Sequence, residues 1–336
     1  MSSGDLAVIA EGLRKRYGGK DGRDGKDGKP ALDGFDLTIP KGTVCGLLGP
    51  NGAGKTTSVR ILSTLLSLDG GRALVGGFDV AEQATEVRRR IGLVGQHAAV
   101  DEVLGGRQNL VMFGRLHHLG KRAATTRADE LLARFGLADT GSKPVKAYSG
   151  GMRRRLDLAV GMILSPEVLF LDEPTVGLDP RGRGEVWQAV RALAGQGTTV
   201  LLTTQYLDEA DQLATQINVM DHGRVIAEGT PGELKSRIGG DRIEFVVHDR
   251  TQVGTAAQAI ARVGVTEPVV DPDAGRVGVQ VAHGTDALRE TVRVLDQAGI
   301  DIDDLSLRRP TLDEVFLHLT GRRTTEPEHQ GREVNA

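Results

Sequence analysis

Three observations predict an α/β fold with a parallel core sheet, followed by a small α+β domain of ferredoxin-like order. A glycine-rich loop joins a strand pattern to a helix pattern early in the chain. A wholly apolar run further on ends in two carboxylates. Beyond residue 240, short strand and helix patterns alternate again. The loop is Gly49-Pro50-Asn51-Gly52-Ala53-Gly54-Lys55-Thr56-Thr57, which satisfies G-x-x-x-x-G-K-[ST]. Residues 43–48 before it are strand-like, and residues 56–66 after it carry apolar side chains at helical spacing. Glycines let the backbone curl so that successive N–H groups point inward at phosphates, and the helix N-terminus adds its positive end. Lys55 is placed to reach the β- and γ-phosphates and the Thr56 hydroxyl to sit on Mg²⁺. A chain with this loop in this setting is expected to bind a nucleoside triphosphate.

In chain order, strand patterns at 6–10, 35–39 and 44–48 precede the loop. Between the first two, residues 19–30 repeat glycine at every third position among Lys, Arg and Asp. So short a repeat cannot hold a triple helix, and its charges favour solvation, so a mobile surface loop is expected. A further strand pattern ends between Gly92 and Gln96, and the sequence then turns helical to about Tyr148, with segments near 106–119 and 127–135. Parallel strands with helical crossovers resume at 168–171 and 198–204, and a hairpin is expected around Asp221-His222-Gly223. Composition shifts near 236–241. The segments 242–247, 251–263, 268–270, 277–281, 285–298 and 302–307 then read as β-α-β-β-α-β, with a weak second strand. No metal-ligand spacing or nucleophile–base pairing stands out there. The expected division is a nucleotide-binding domain over 5–238, with a helical subdomain about 97–164, an accessory domain over 240–320 and a disordered polar tail over 322–336.

A length of 336 residues suits two domains. Charge is nearly balanced, 42 Lys plus Arg against 45 Asp plus Glu, which gives no bulk pull toward nucleic acid. The clusters Arg88-Arg89-Arg90 and Arg153-Arg154-Arg155 read as solvated helix faces. The single Cys45 excludes an internal disulfide and suits a reducing compartment. Its place in the strand before the loop predicts a buried, inert thiol. Residues 1–5 lack a signal-peptide pattern and no apolar run approaches the length of a membrane span, so a soluble, cytosolic protein is expected.

Two further stretches carry chemistry. Val168-Leu169-Phe170-Leu171-Asp172-Glu173-Pro174 reads as a buried parallel strand ending in acids. Asp172 can hold Mg²⁺ directly or through water, and Glu173 is then placed to polarise a water for attack on the γ-phosphate. Tyr148-Ser149-Gly150-Gly151-Met152 opens a helix running to about Leu164. A serine and two glycines at a helix N-terminus make a second anion site from bare N–H groups and the hydroxyl.

On these residues, in this order and spacing, the sequence resembles the nucleotide-binding subunit of ABC transporters over about 6–232. Residues 49–57 match the Walker A motif, Gln96 the Q-loop, 148–152 the signature, 169–174 Walker B, and Gly177-Leu178-Asp179-Pro180 the D-loop. Gln96 through Ala98-Ala99-Val100-Asp101-Glu102 to Arg107-Gln108-Asn109-Leu110 is similar to the daunorubicin-resistance subfamily of drug exporters. So are residues 203–211 and Arg308-Arg309-Pro310-Thr311-Leu312-Asp313-Glu314-Val315-Phe316, so the resemblance spans almost the whole chain.

The resemblance implies a P-loop ABC ATPase with antiparallel N-terminal strands and a helical subdomain beside the parallel sheet. It implies ATP and Mg²⁺ as ligands, the metal held by Thr56, Gln96 and Asp172. Lys55, Glu173 and Gln205 become the catalytic set, and Tyr17 the residue that stacks on adenine. Two subunits would pack head to tail, each ATP lying between residues 49–57 of one and Ser149, Gly150 and Gly151 of the other. A separate membrane permease would dock against the helical segment after Gln96, leaving this chain cytoplasmic and peripheral on the inner face of the membrane. Export of a hydrophobic or amphiphilic drug or antibiotic is then the expected work.

Two departures from the family stand out. Tyr148 replaces a common leucine, with little consequence expected because it precedes the phosphate-contacting residues. Gln205 stands where the family's switch histidine usually does; an amide can donate a hydrogen bond to phosphate but cannot titrate. The presence of Glu173 argues against a site that no longer hydrolyses. His117, His118 and His222 are expected at the surface. A soluble ABC ATPase acting on nucleic acid or ribosomes is the alternative; such proteins commonly carry two ATPase units, zinc-binding cysteines or long coiled coils, none of which is present here. A P-loop small-molecule kinase leaves the signature and D-loop unexplained.

Overall fold

The computed structural model describes residues 3–18, 29–96, 98–238, 241–282, 284–308 and 311–321. The glycine–aspartate repeat therefore lies almost wholly outside the described residues, as does the tail 322–336. The chain forms two compact units, Met1–Thr230 and Pro231–Ala336.

In the first unit, β1 (Leu6–Tyr17) and β2 (Lys29–Pro40) pair antiparallel and continue through β4 (Gly70–Val75) and β5 (Phe78–Asp79), in the order β2-β1-β4-β5. The second sheet has the order β10-β9-β3-β8-β7-β6. Its members are β3 (Val44–Leu48), β6 (Ile91–Val94), β7 (Val168–Asp172), β8 (Thr199–Thr204), β9 (Gln216–Asp221) and β10 (Arg224–Gly229). All pairs in it are parallel except the β9–β10 hairpin. That hairpin turns through His222 and Gly223, both with positive φ.

Strands β3, β7 and β8 are buried at every residue, as a parallel sheet covered on both faces requires. Alternate side chains serve opposite cores. Val44, Leu169, Leu171, Val200 and Leu202 pack with helices α5 (Gly150–Gly161) and α6 (Pro180–Ala194). Cys45, Leu47, Phe170 and Leu201 pack with the antiparallel sheet and α1 (Lys55–Leu62). Between β6 and α5 the chain is helical, in α3 (Gly106–Leu116) and α4 (Lys121–Arg134); a short α2 (Ala84–Arg88) precedes β6 and α7 (Leu207–Leu213) follows β8.

The second unit pairs β11 (Arg242–Val247), β12 (Val269–Asp271), β13 (Arg276–Gln280) and β14 (Ile302–Arg308) antiparallel, in the order β12-β13-β11-β14. With α9 (Val253–Ile260) after β11 and α10 (Gly284–Gln297) after β13, this is the ferredoxin-like arrangement. Ile243, Phe245 and Val247 face the helices in one core. Helix α8 (Pro231–Ile238) belongs to this unit, against α11 (Leu312–Thr320), rather than to the nucleotide-binding unit. Thr311 and Glu314 close a capping box at the start of α11.

β1 outruns its period-two pattern because the pairing with β2 shifts register between Ala10 and Leu13, with Gly12 at φ 59°. Cys45 is fully buried, and that burial pushes its thiol up to about 12, so it is inert as expected. His117, His118 and His222 are exposed. No helix among the described residues is long and apolar enough to cross a membrane.

Candidate active site

Strand β3 delivers the chain to Gly49, where an added Cβ would lie 2.4 Å from the Met220 carbonyl oxygen, so only glycine fits. Gly54 then turns the chain into α1 with φ 110°, a conformation closed to most side chains. Lys55, the first helical residue, is buried; its Nζ donates to the carbonyls of Gly49 (2.7 Å) and Pro50 (3.2 Å). That burial lowers its pKa, while the nearby carboxylates of Glu173 and Asp172 oppose the shift. Glu173 Oε1 is 3.7 Å from Nζ.

Strand β7 places the two acids by register. Asp172 pairs with Thr203 of β8, whose hydroxyl donates to Asp172 Oδ1. The Thr56 hydroxyl reaches the same oxygen at 3.3 Å. A serine-type hydroxyl and a carboxylate converging beside the phosphate loop form a hard-oxygen donor set, which suits Mg²⁺ shared between a few protein groups and phosphates. Glu173 follows with φ 49°, a left-handed backbone that costs a non-glycine residue about 1–3 kcal/mol. Its N–H donates to the carbonyl oxygen and hydroxyl of Thr203, both at 3.1 Å. Its Oε2 accepts from Gln96 Nε2 at 3.0 Å. One carboxylate therefore joins the phosphate loop, the Q-loop residue and the end of β7.

Lys55, Gln96 and Glu173 line a cleft of about 400 Å³ with Tyr17, Asn51, Gly52, Gly54, Thr56 and Thr57, while Asp172 lies buried behind it. Tyr17 ends β1 opposite Lys29 of β2 and is 41 % exposed, so its ring is open to a ligand at the cleft's edge. Ala53 is buried beneath the loop. Ser149, Gly150 and Gly151 do not reach this cleft. They line a separate groove with Gly177, Leu178 and Asp179. Ser149 caps α5, its Oγ accepting from Met152 N at 3.2 Å, and Asp179 caps α6 by accepting from Gly182 N at 2.8 Å. Gln205, just past β8, is half-buried and does not line the cleft either. Tyr148 is a core residue: its hydroxyl donates to Thr140 O at 2.7 Å, and Gly106 leaves it room, since a Cβ there would lie 2.5 Å from that hydroxyl.

The basic run 153–155 corrects the expectation of a solvated face. Arg154 is buried against Asp157, Arg153 pairs with Glu102, and Arg155 pairs with Glu185 of α6. The signal was in the spacing: Arg154 shares a helix face with Gly151 and Leu158, and a compensating acid stands three residues on. Thr203 was also missed, because its role comes from strand register that the sequence does not display.

A phosphate loop, a strand ending in two acids and a glutamine bridging to the second of them define an ATP-binding cassette, an ATPase. The family model described as "ABC transporter" matches residues 32–176, and that of the "ATP-binding protein DrrA1-3-like, C-terminal domain" matches residues 229–320. The chain is 62% identical over 317 residues to the daunorubicin resistance ATP-binding protein DrrA3 of Streptomyces coeruleorubidus, covering 94% of this chain and 96% of that protein. It is 50% identical over 316 residues to the daunorubicin/doxorubicin resistance ATP-binding protein DrrA of Streptomyces peucetius, covering 94% and 92%. Among solved structures, cbiO1 from Clostridium perfringens, part of an ABC transporter complex, aligns with TM-score 0.62 at 29% identity over 68% of this chain and 90% of that one. The chain belongs to the ABC transporter ATP-binding proteins, in their DrrA-like branch.

Proposed function

We propose that this chain is the ATP-hydrolysing subunit of an exporter that expels a hydrophobic or amphiphilic drug through a separate membrane permease. It works as a homodimer with Mg²⁺, at the inner face of the membrane, and acts on no nucleic acid. The drug class rests on the names of relatives at 50% and 62% identity. The single observation behind the catalytic reading is the convergence of Lys55, Gln96 and Thr56 on the two acids that end β7. Because Ser149–Gly151 line a different groove, one chain supplies half of each composite site, and a second copy facing it head to tail supplies the rest.

In that arrangement Lys55 sets a positive charge against the β- and γ-phosphates, and Glu173 takes the proton of the attacking water while Gln96 holds its other oxygen. Bound Mg²⁺, held by Thr56, Asp172 and Gln96, would neutralise charge gathering on the phosphate oxygens. Co-expression with a candidate six-span permease tests the assignment. The chain is expected to co-purify from membranes and to show ATPase activity that the drug stimulates; drug accumulation unchanged by expression of the pair would reject export. Removing residues 231–336 is expected to leave nucleotide binding intact and to lower co-purification, since the residues that line the cleft all lie in the first unit.

Gln205 is proposed as the working switch residue. Gln205→Ala should lower turnover several-fold in the assembled complex with ATP affinity nearly unchanged. Gln205→His should keep activity and add a pH dependence near 6 to 7, about the imidazole range. Wild-type turnover in Gln205→Ala would make the position structural.

A further inference from the structure

Arg154 and Asp157 of α5 form a buried ion pair whose other hydrogen bonds go to backbone. Arg154 Nε donates to Pro174 O at 2.6 Å and Nη1 to Gly95 O at 2.7 Å, while Nη2 reaches Asp172 O at 3.5 Å. Asp157 Oδ2 accepts from Nη1 at 3.2 Å, and its Oδ1 accepts from Ala99 N at 2.9 Å. Gly95 immediately precedes Gln96, and Ala99 lies three residues beyond it. Asp172 and Pro174 flank Glu173, the residue with left-handed backbone. Both side chains of the pair are under a tenth exposed, at 8% and 3%. Burial pushes each toward its neutral form, the arginine pKa down and the aspartate pKa up. A desolvated pair of this kind is weak evidence of stabilisation, and leucines would fill the same space. What leucines could not do is hold backbone atoms of two separate segments, on both sides of Gln96 and of Glu173, through one planar guanidinium and one carboxylate.

We infer that Arg154 and Asp157 are positioning residues that tie the helix opened by Ser149 to both members of the Gln96–Glu173 hydrogen bond. Movement of α5, the helix that presents Ser149–Gly151 to the other subunit, is thereby read out as a change in the carboxylate that activates water. The inference rests on the ATPase reading of Glu173 and Gln96. It gives the site a mechanical input, since a helix whose N-terminus meets one nucleotide holds the base that serves another.

The test uses the full chain with Arg154→Lys, which keeps the charge but cannot span three carbonyls. Without nucleotide, amide hydrogen exchange at Ala99 and Glu173 should rise together by tenfold or more, while exchange in β3 and α1 stays as in wild type. Affinity for a fluorescent ATP analogue should stay within threefold, and kcat should fall tenfold or more. In a Gln96→Ala background the same substitution should cost less than twofold, because the bond that it positions is already gone. Unchanged exchange at the two amides, or an equal fractional loss of kcat in both backgrounds, would reduce Arg154 to packing and overturn the inference. A wild-type complex without ATPase activity would instead refute the ATPase reading, and the exchange result would still decide the clamp. Should Arg154→Lys not fold, Asp157→Asn, which keeps an oxygen for Ala99, must raise Ala99 exchange less than Asp157→Ala; equal exchange in those two overturns the inference as well.

Discussion

Glutamine in place of Glu173 is expected to slow turnover about 10²–10⁴-fold and to leave the nucleotide bound. The amide matches the carboxylate in shape, and its oxygen still accepts the bond that Gln96 donates at 3.0 Å, so the cleft keeps its form. What would disappear is the carboxylate proposed to take a proton from the attacking water, and general-base catalysis is worth about 10²–10⁴-fold. A second consequence follows from Lys55. Its ammonium is buried 3.7 Å from this carboxylate, and the neutral amide leaves it leaning on Asp172 and the Gly49 and Pro50 carbonyls. Nucleotide phosphates then become its main counter-charge, so Glu173→Gln should gain more thermal stability from Mg-ATP than wild type does. With ATP uncleaved, the proposed head-to-tail dimer should accumulate and elute at twice the monomer mass in size-exclusion chromatography. A variant that holds nucleotide yet stays monomeric would count against the sandwich, and wild-type turnover would remove Glu173 from the mechanism.

Lys55→Ala acts at the other end of the same ion pair and is expected to fail earlier, at binding. A charge-assisted hydrogen bond contributes about 1.5–3 kcal/mol, or roughly 10–150-fold in affinity. The lost charge also acts on the transition state, so kcat/KM falls by more than the affinity does. This loss is separable from misfolding. Burial holds the Lys55 pKa below its ordinary value of 10.5, so the unfolded chain binds more protons than the folded one between the two values. Wild-type stability therefore rises with pH across the window just below 10.5 by a contribution that Lys55→Ala lacks. Melting curves at neutral pH should show the variant no less stable than wild type, and the difference should move in the wild type's favour as pH climbs toward 10. Intact affinity in a folded Lys55→Ala chain would place the nucleotide elsewhere.

Much of this was legible in the sequence because the chemistry sits in contiguous stretches. The phosphate loop, the acids at 172 and 173 and the Ser149 turn are each written in a few adjacent residues, and the strands leading into the loop and the acids carry no charged residue before Asp172 because both faces are covered. The ferredoxin-like order was equally visible from alternating patterns beyond 240. Three features were not. The outer half of β1 hides behind a bulge that resets the alternation at Gly12. β4 begins with two glycines and an arginine and carries no strand pattern until Ala73. Arg154 reads as one of three surface arginines when its helix-face spacing with Gly151, Leu158 and Asp157 is passed over; the structure buries it and leaves the other two only partly covered. Interactions that depend on register, such as Thr203 against Asp172, belong to the sheet rather than to either segment.

The left-handed backbone at Glu173 also bears on how such a protein can evolve. A fold selected only for persistence would install glycine there, relieve the strain and lose the carboxylate proposed as the base. A glutamate at that turn marks a conflict between endurance and turnover, the kind that makes active sites local weak points. Stabilised versions of this ATPase should therefore be sought at sites far from the end of β7, for example in the second unit, where sequence can drift toward sturdier packing without touching the reaction.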